Sequence, residues 1–265
     1  MAGGDENSQL LSDSFLTPSF VVSMALTARE KRKIRRQAEQ LEQNLQLNTR
    51  RQDIKPFTPK TEKQDLLWET LNRNTVTIVV GPAGTGKTLT LLWYGMHHLS
   101  LGHYEKIYYV RSDVGVEHQR GRGALPGTMD EKMAPLIGPI YDNLPLMTRS
   151  QGAAEYLLTK KIIHPILLED VRGRSFNNCF VIFDESQNAT PDQVKTVLSR
   201  VGEQSKIALT GDTKQVDLEV FNRRSGLIDA YCRLSGIRGV GRVEFSHDDI
   251  VRNGILADIL LAYEG

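Results

Sequence analysis

Two segments of this chain carry residues suited to chemistry on a phosphoanhydride. One is the run Gly81-Pro82-Ala83-Gly84-Thr85-Gly86-Lys87-Thr88, placed directly after the apolar stretch Val76-Thr77-Ile78-Val79-Val80. The spacing is GxxxxGK[ST]. Its glycines let the backbone wrap closely around a β-phosphate with several N–H groups turned inward, while Lys87 reaches the β- and γ-oxygens. Thr88 supplies a hydroxyl to Mg2+, and a helix opening at Lys87 points its partial positive charge at the phosphates. The ligand this spacing predicts is ATP or GTP.

The other segment is Phe180-Val181-Ile182-Phe183-Asp184-Glu185, an apolar strand ending in two acids. Asp184 fits an outer-sphere partner of the metal that Thr88 touches. Glu185 fits a group that points at the γ-phosphate and accepts a proton from, or orients, an attacking water. A similar strand end follows at Ile207-Ala-Leu-Thr210-Gly211-Asp212-Thr213-Lys214-Gln215, the side of an open α/β sheet where ligands sit. Gln215 has the length to touch the γ-phosphate or its water. The six histidines show no metal-ligand spacing with one another or with cysteine, and no zinc site is expected.

These groups need a scaffold. Strand patterns fall at residues 76–80, 106–110, 180–184, 206–210 and 240–245, and helical patterns at 61–72, 87–101, 128–143, 192–202, 225–235 and 255–263. Most of the strands read as continuous apolar runs, as expected of a parallel sheet covered on both faces. The predicted fold is α/β with a central, mostly parallel sheet flanked by helices. Trp68, Trp93 and the pair Tyr108-Tyr109 are expected in its core. Residues 1–55 stand apart as a tail followed by an amphipathic helix at 27–47, opened by a capping box at Thr27 and Glu30. Residues 27–36 hold six basic side chains against one acidic, a local +5 in a chain whose total is +1. That helix face suits either subunit contact or a phosphate backbone.

Composition bounds the rest. With 265 residues and 40% hydrophobic side chains, a sizeable core is affordable. The near-neutral balance confines any polyanion site to a local patch. Cys179 and Cys232 are expected as reduced packing residues, which suits the cytoplasm, and no apolar run reaches the ~20 residues that span a bilayer.

The phosphate loop, then Ala124-Leu-Pro-Gly127 with Glu131-Lys132, Arg172-Gly-Arg174, Asp184-Glu-Ser-Gln-Asn188, Thr210-Gly-Asp-Thr-Lys-Gln215, Ser225-Gly-Leu227, Asp249-Ile-Val-Arg252 and Ala262-Tyr-Glu264, resemble in order the motifs of the PhoH family of P-loop NTPases. The match runs from about residue 58 to the end, and the family core is similar to the first motor domain of superfamily 1 helicases. The resemblance implies a single RecA-like domain over residues 56–265 that binds and hydrolyses ATP with Mg2+ and acts on single-stranded RNA first, DNA second. It implies that Gln64 reads the adenine edge and that Arg111 and Ser112 lie where such motors contact nucleic-acid backbone. Ser112 departs from the family's usual proline, and Ser186 from a common alanine. A second motor domain, which in helicases supplies an arginine to the transition state, is not expected within these 265 residues. Arg252 is the preferred substitute, with Arg200, Arg224, Arg172 and Arg174 as alternatives, acting in cis or across a homo-oligomer, most plausibly a hexamer. The alternative function is a nucleotide-gated scaffold that joins an RNA-processing or ribosome-associated partner without unwinding.

Overall fold

The computed structural model describes residues 54–111, 129–149, 151–215 and 224–252, with isolated helical positions at Arg29, Arg32, Lys33, Arg36, Ile255, Asp258, Ile259 and Ala262. The chain divides into two units, Met1–Leu47 and Asn48–Gly265. In the first, Arg29, Arg32, Lys33 and Arg36 are helical and exposed, at the i, i+3, i+4, i+7 spacing that shares one helix face.

The second unit runs α1 (Glu62–Arg73), β1 (Val76–Val80), α2 (Lys87–Ser100), β2 (Lys106–Arg111), α3 (Met129–Met147), α4 (Gln151–Thr159), β3 (Ile163–Leu167), β4 (Cys179–Asp184), α5 (Pro191–Leu198), β5 (Lys206–Gly211), α6 (Gly226–Arg233) and β6 (Val240–Glu244). The strands form one sheet in the order β3-β2-β4-β5-β1-β6, every pairing parallel. Six strands stand where five are expected. The addition is β3, whose Pro165 breaks the strand pattern but is tolerated because β3 pairs on one side only. α4 was likewise not anticipated, and α3 continues to Met147 instead of stopping near 143.

Alternation along the strands divides the core. Ile78, Val80, Val181, Phe183, Ile207 and Leu209 pack with Val194 and Val197 of α5 and Leu227 and Ala230 of α6. On α2, Gly95 allows close approach to the sheet: a Cβ there would sit 2.9 Å from both Ile107 and Phe180. α5 opens with Pro191 behind a capping box made by Thr190 and Gln193, and α6 is capped by the Ser225 hydroxyl.

Ahead of α1 the chain forms a strap. Ile54 bridges to Thr148, Lys55 N donates to Met147 O at 2.8 Å, and the Trp93 indole N–H donates to Lys55 O at 2.8 Å. Phe57 stacks on Trp68 with ring centres 4.7 Å apart and meets Trp93 edge-on at 5.5 Å. Residues 54 and 55, just before the expected domain start at 56, therefore already pair with this unit. Trp68, Trp93 and Tyr108 are half-buried and Tyr109 fully buried, while Cys232, unlike buried Cys179, is exposed and does not pack. Among the described residues no group of three or more His, Cys, Asp or Glu could hold a metal ion, and no helix is long and apolar enough to cross a membrane.

Candidate active site

β5 lies between β1 and β4, so the C-terminal ends of three neighbouring strands bring together the phosphate loop, Asp212 and the two acids. The loop is held by its surroundings on both sides. Gly81 N donates to Gly211 O at 3.3 Å, and Val251 N donates to Gly84 O at 3.0 Å. Gly81 has φ 144°, and a Cβ on it would lie 2.6 Å from Phe245 O, so no other residue fits. Gly86, the N-cap of α2, is in a left-handed conformation and offers no side-chain cap, which leaves the first N–H groups of the helix without a side-chain acceptor. That is a donor set suited to anionic oxygens.

The buried Lys87 ammonium donates to Gly81 O and Pro82 O at 2.7 Å each and lies 3.5 Å from Thr85 Oγ1. Burial lowers its pKa, opposed by the charges of Asp212, Asp184 and Glu185. Thr88 Oγ1 lies 3.3 Å from both oxygens of Asp184, whose Oδ1 also accepts the Glu185 N–H at 3.1 Å and whose Oδ2 accepts the Tyr109 hydroxyl. Burial, then Glu185, pushes the Asp184 carboxyl up, and the Tyr109 hydrogen bond and Arg111 oppose this. A buried carboxylate beside a threonine hydroxyl is the oxygen-only donor set that suits Mg2+.

Glu185 adopts φ 51°, ψ 32°, a left-handed conformation that costs a non-glycine residue about 1–3 kcal/mol and recurs at active sites. Its Oε2 accepts the Gln187 amide at 2.7 Å, and Gln187 Oε1 in turn accepts the Asp212 N–H at 3.3 Å. Gly211 makes room for that amide, since a Cβ there would lie 2.0 Å from Gln187 Oε1. The fully buried Gln187 thus ties Glu185 to the end of β5.

Gln64 is buried behind the loop. Its Oε1 accepts Lys60 N at 2.8 Å and its amide donates to Thr85 O at 3.0 Å, so one donor and one acceptor are engaged by the protein itself. In the turn after β5 it is Asp212 that is buried and whose charge acts on Lys87, whereas Gln215 is exposed, with its backbone N–H on Asp212 O. Arg111 ends β2 in register with Asp184, so its charge falls on the carboxylate site; Ser112 lies outside the described residues.

The arginine candidates separate by place. Arg252 is exposed and directly follows Val251, which is bonded to the phosphate loop. Arg224 precedes the cap of α6, where Gly226 N donates to Ala189 O close behind the Glu185 turn. Arg200 accepts from Phe176 ahead of β4, at the opposite end of the sheet, and Arg174 donates to Asp170 O while acting on Tyr108 and His164; Arg172 is exposed beside it. Arg200 is thereby removed from this chain's own site. Three contributors carry no local signal of their part in the site: Gln187 and Asp212 stand inside motifs without a pattern that singles them out, and Tyr109 reads only as a core residue.

The family model for "PhoH-like protein" matches residues 56–264. The PhoH-like protein of Bacillus subtilis (strain 168) is 38% identical over 210 residues, covering 79% of this chain and 65% of that one. Protein PhoH of Escherichia coli (strain K12) is 33% identical over 217 residues, covering 80% and 59%. The chain thus spans less than two-thirds of the length of these relatives. Among solved structures, the Hef helicase domain of Pyrococcus furiosus aligns at TM-score 0.40 and 11% identity, over 68% of this chain and 38% of that one.

Proposed function

The chain belongs to the PhoH-like family of P-loop NTPases, and from that premise we propose that it binds ATP with Mg2+, hydrolyses it, and couples the cycle to single-stranded nucleic acid. The observation that carries this reading is the convergence of Lys87, Thr88, Asp184, Glu185 and Asp212 at three adjacent strand ends. Thr88 and Asp184 would hold the metal, which when bound neutralises developing phosphate charge. Lys87 exchanges the loop carbonyls it now touches for β- and γ-phosphate oxygens, alongside the N–H groups of Gly84 to Thr88. Glu185, steadied by Gln187, orients the attacking water and accepts its proton. Gln64 keeps one N–H and one lone pair for the adenine edge while bracing the loop. Gln215 and Arg252 serve the γ-phosphoryl group, with Arg252 donated in cis or by a neighbour in a homo-oligomer, a hexamer for preference.

The nucleic-acid half rests on the helix expected in residues 27–47, of which the helical positions Arg29, Arg32, Lys33 and Arg36 are described. Arg29, Arg32, Lys33 and Arg36 form an exposed basic face while the rest of the chain is net acidic. RNA is the first candidate, DNA the second, and the cytoplasm the compartment. ATPase rates with and without single-stranded RNA and DNA, taken alongside mass in solution, test the reading. Replacing all four basic residues by glutamine should leave the basal ATPase rate unchanged and weaken RNA binding. It should also flatten the plot of log affinity against log salt by up to about 3, at ~0.7 per lost phosphate contact. An unchanged affinity and slope would place the nucleic acid elsewhere. Slow hydrolysis with no RNA response would favour the nucleotide-gated scaffold.

A further inference from the structure

Asp184 is held by three hydrogen-bond donors and one nearby charge, and they are not equivalent. The Glu185 N–H is backbone and fixes only Oδ1. Thr88 carries a single proton, shared between the two carboxylate oxygens at 3.3 Å each, and would give a metal its oxygen lone pair while keeping that proton for Asp184; Arg111 acts through its charge. The remaining donor is the hydroxyl of Tyr109 on Oδ2. Tyr109 pairs with Ile182, two residues short of Asp184 on the neighbouring strand, and parallel partners share a face. Two residues at 3.3 Å each leave about 6.6 Å to cover, a span suited to a tyrosine ring lying along the sheet, with its hydroxyl arriving at the carboxylate. Both residues are buried, so the bond is charge-assisted and shielded from water.

We propose that Tyr109 is a positioning residue for the metal-facing carboxylate: its hydroxyl fixes the plane of Asp184 from the neighbouring strand, holding both carboxylate oxygens toward Thr88. This rests on the reading of Asp184 as a metal-facing group. Groups that orient a metal ligand from behind typically set metal affinity by 10–100-fold. The hydroxyl is therefore worth more here than its place in an apolar core suggests, and phenylalanine, which fills the same volume, is not an equivalent residue.

The test uses the full chain with Mn2+ as the probe, titrated by electron paramagnetic resonance in the presence of a non-hydrolysable ATP analogue. Tyr109→Phe should raise the half-saturating Mn2+ concentration about tenfold, while nucleotide affinity in EDTA stays close to wild type and the melting temperature without metal falls modestly, by the loss of one hydrogen bond to a buried acceptor and less than in Tyr109→Leu. Tyr109→Leu, which removes hydroxyl and ring together, should show the same metal defect plus a larger loss of stability. An unchanged Mn2+ titration in Tyr109→Phe, a parallel loss of metal-free nucleotide binding, or a defect confined to Tyr109→Leu overturns the proposal. Failure of the wild-type chain to bind Mn2+ at all would instead overturn the reading of Asp184.

Discussion

Glu185→Gln is expected to leave nucleotide affinity intact and to slow hydrolysis by two to four orders of magnitude, the range attributed to a positioned acid or base, about 10²–10⁴-fold. The substitution keeps the side chain's size and its ability to accept from the Gln187 amide, which lies 2.7 Å from Oε2. It removes the negative charge that a water proton would move to. It also takes a like charge away from Asp184, one of the influences pushing that carboxyl up, so metal-dependent binding should not weaken. Single-turnover hydrolysis measured beside equilibrium binding separates the two effects. A variant that hydrolyses ATP at the wild-type rate would sink the assignment of Glu185.

Lys87→Ala should act on the other quantity. The ammonium is nearly inaccessible, bonded to Gly81 O and Pro82 O, and faced by three carboxylates. Truncating one member of a buried, hydrogen-bonded charge set costs about 2–5 kcal/mol, equivalent to a loss of roughly 30-fold or more in nucleotide affinity. The loop carbonyls also lose their donor, at about 1–3 kcal/mol for a buried acceptor left unmade, so the nucleotide-free protein should melt earlier as well. Calorimetric titration with ATP and a melt without it measure both. Retained affinity would mean that backbone N–H groups alone hold the phosphates.

What sequence reveals here depends on whether a contact is encoded locally. Lys87 and Thr88 are legible because a loop, a strand before it and a helix after it are neighbours in the chain. Asp184 and Glu185 are legible because an apolar run ending in two acids is a local pattern. Their meeting across 96 positions, Thr88 Oγ1 to Asp184, follows from a spacing that implies one shared metal. β3 was missed because Pro165 breaks the strand pattern, and only the sheet order, with β3 at an edge, makes that proline harmless. The Tyr109 hydroxyl on Asp184 spans 75 positions and the Asp212 N–H on Gln187 Oε1 spans 25. Neither has a period or a spacing to announce it, because both exist only once the strands are in register. Gln215 is legible by its length alone, whereas the turn after Gly211 that buries Asp212 beside Lys87 has no local signal.

The strap ahead of the first helix has an optical consequence. The chain contains two tryptophans, and both rest on Phe57. Trp68 lies one turn beyond Gln64, whose amide grips the phosphate loop, and Trp93 lies on the helix that the loop opens. The two indoles therefore meet at one phenyl ring between the two helices that hold the phosphate loop, and the protein carries its own fluorophores on those helices. Their emission needs no label to follow how the cradle shifts as nucleotide arrives and departs.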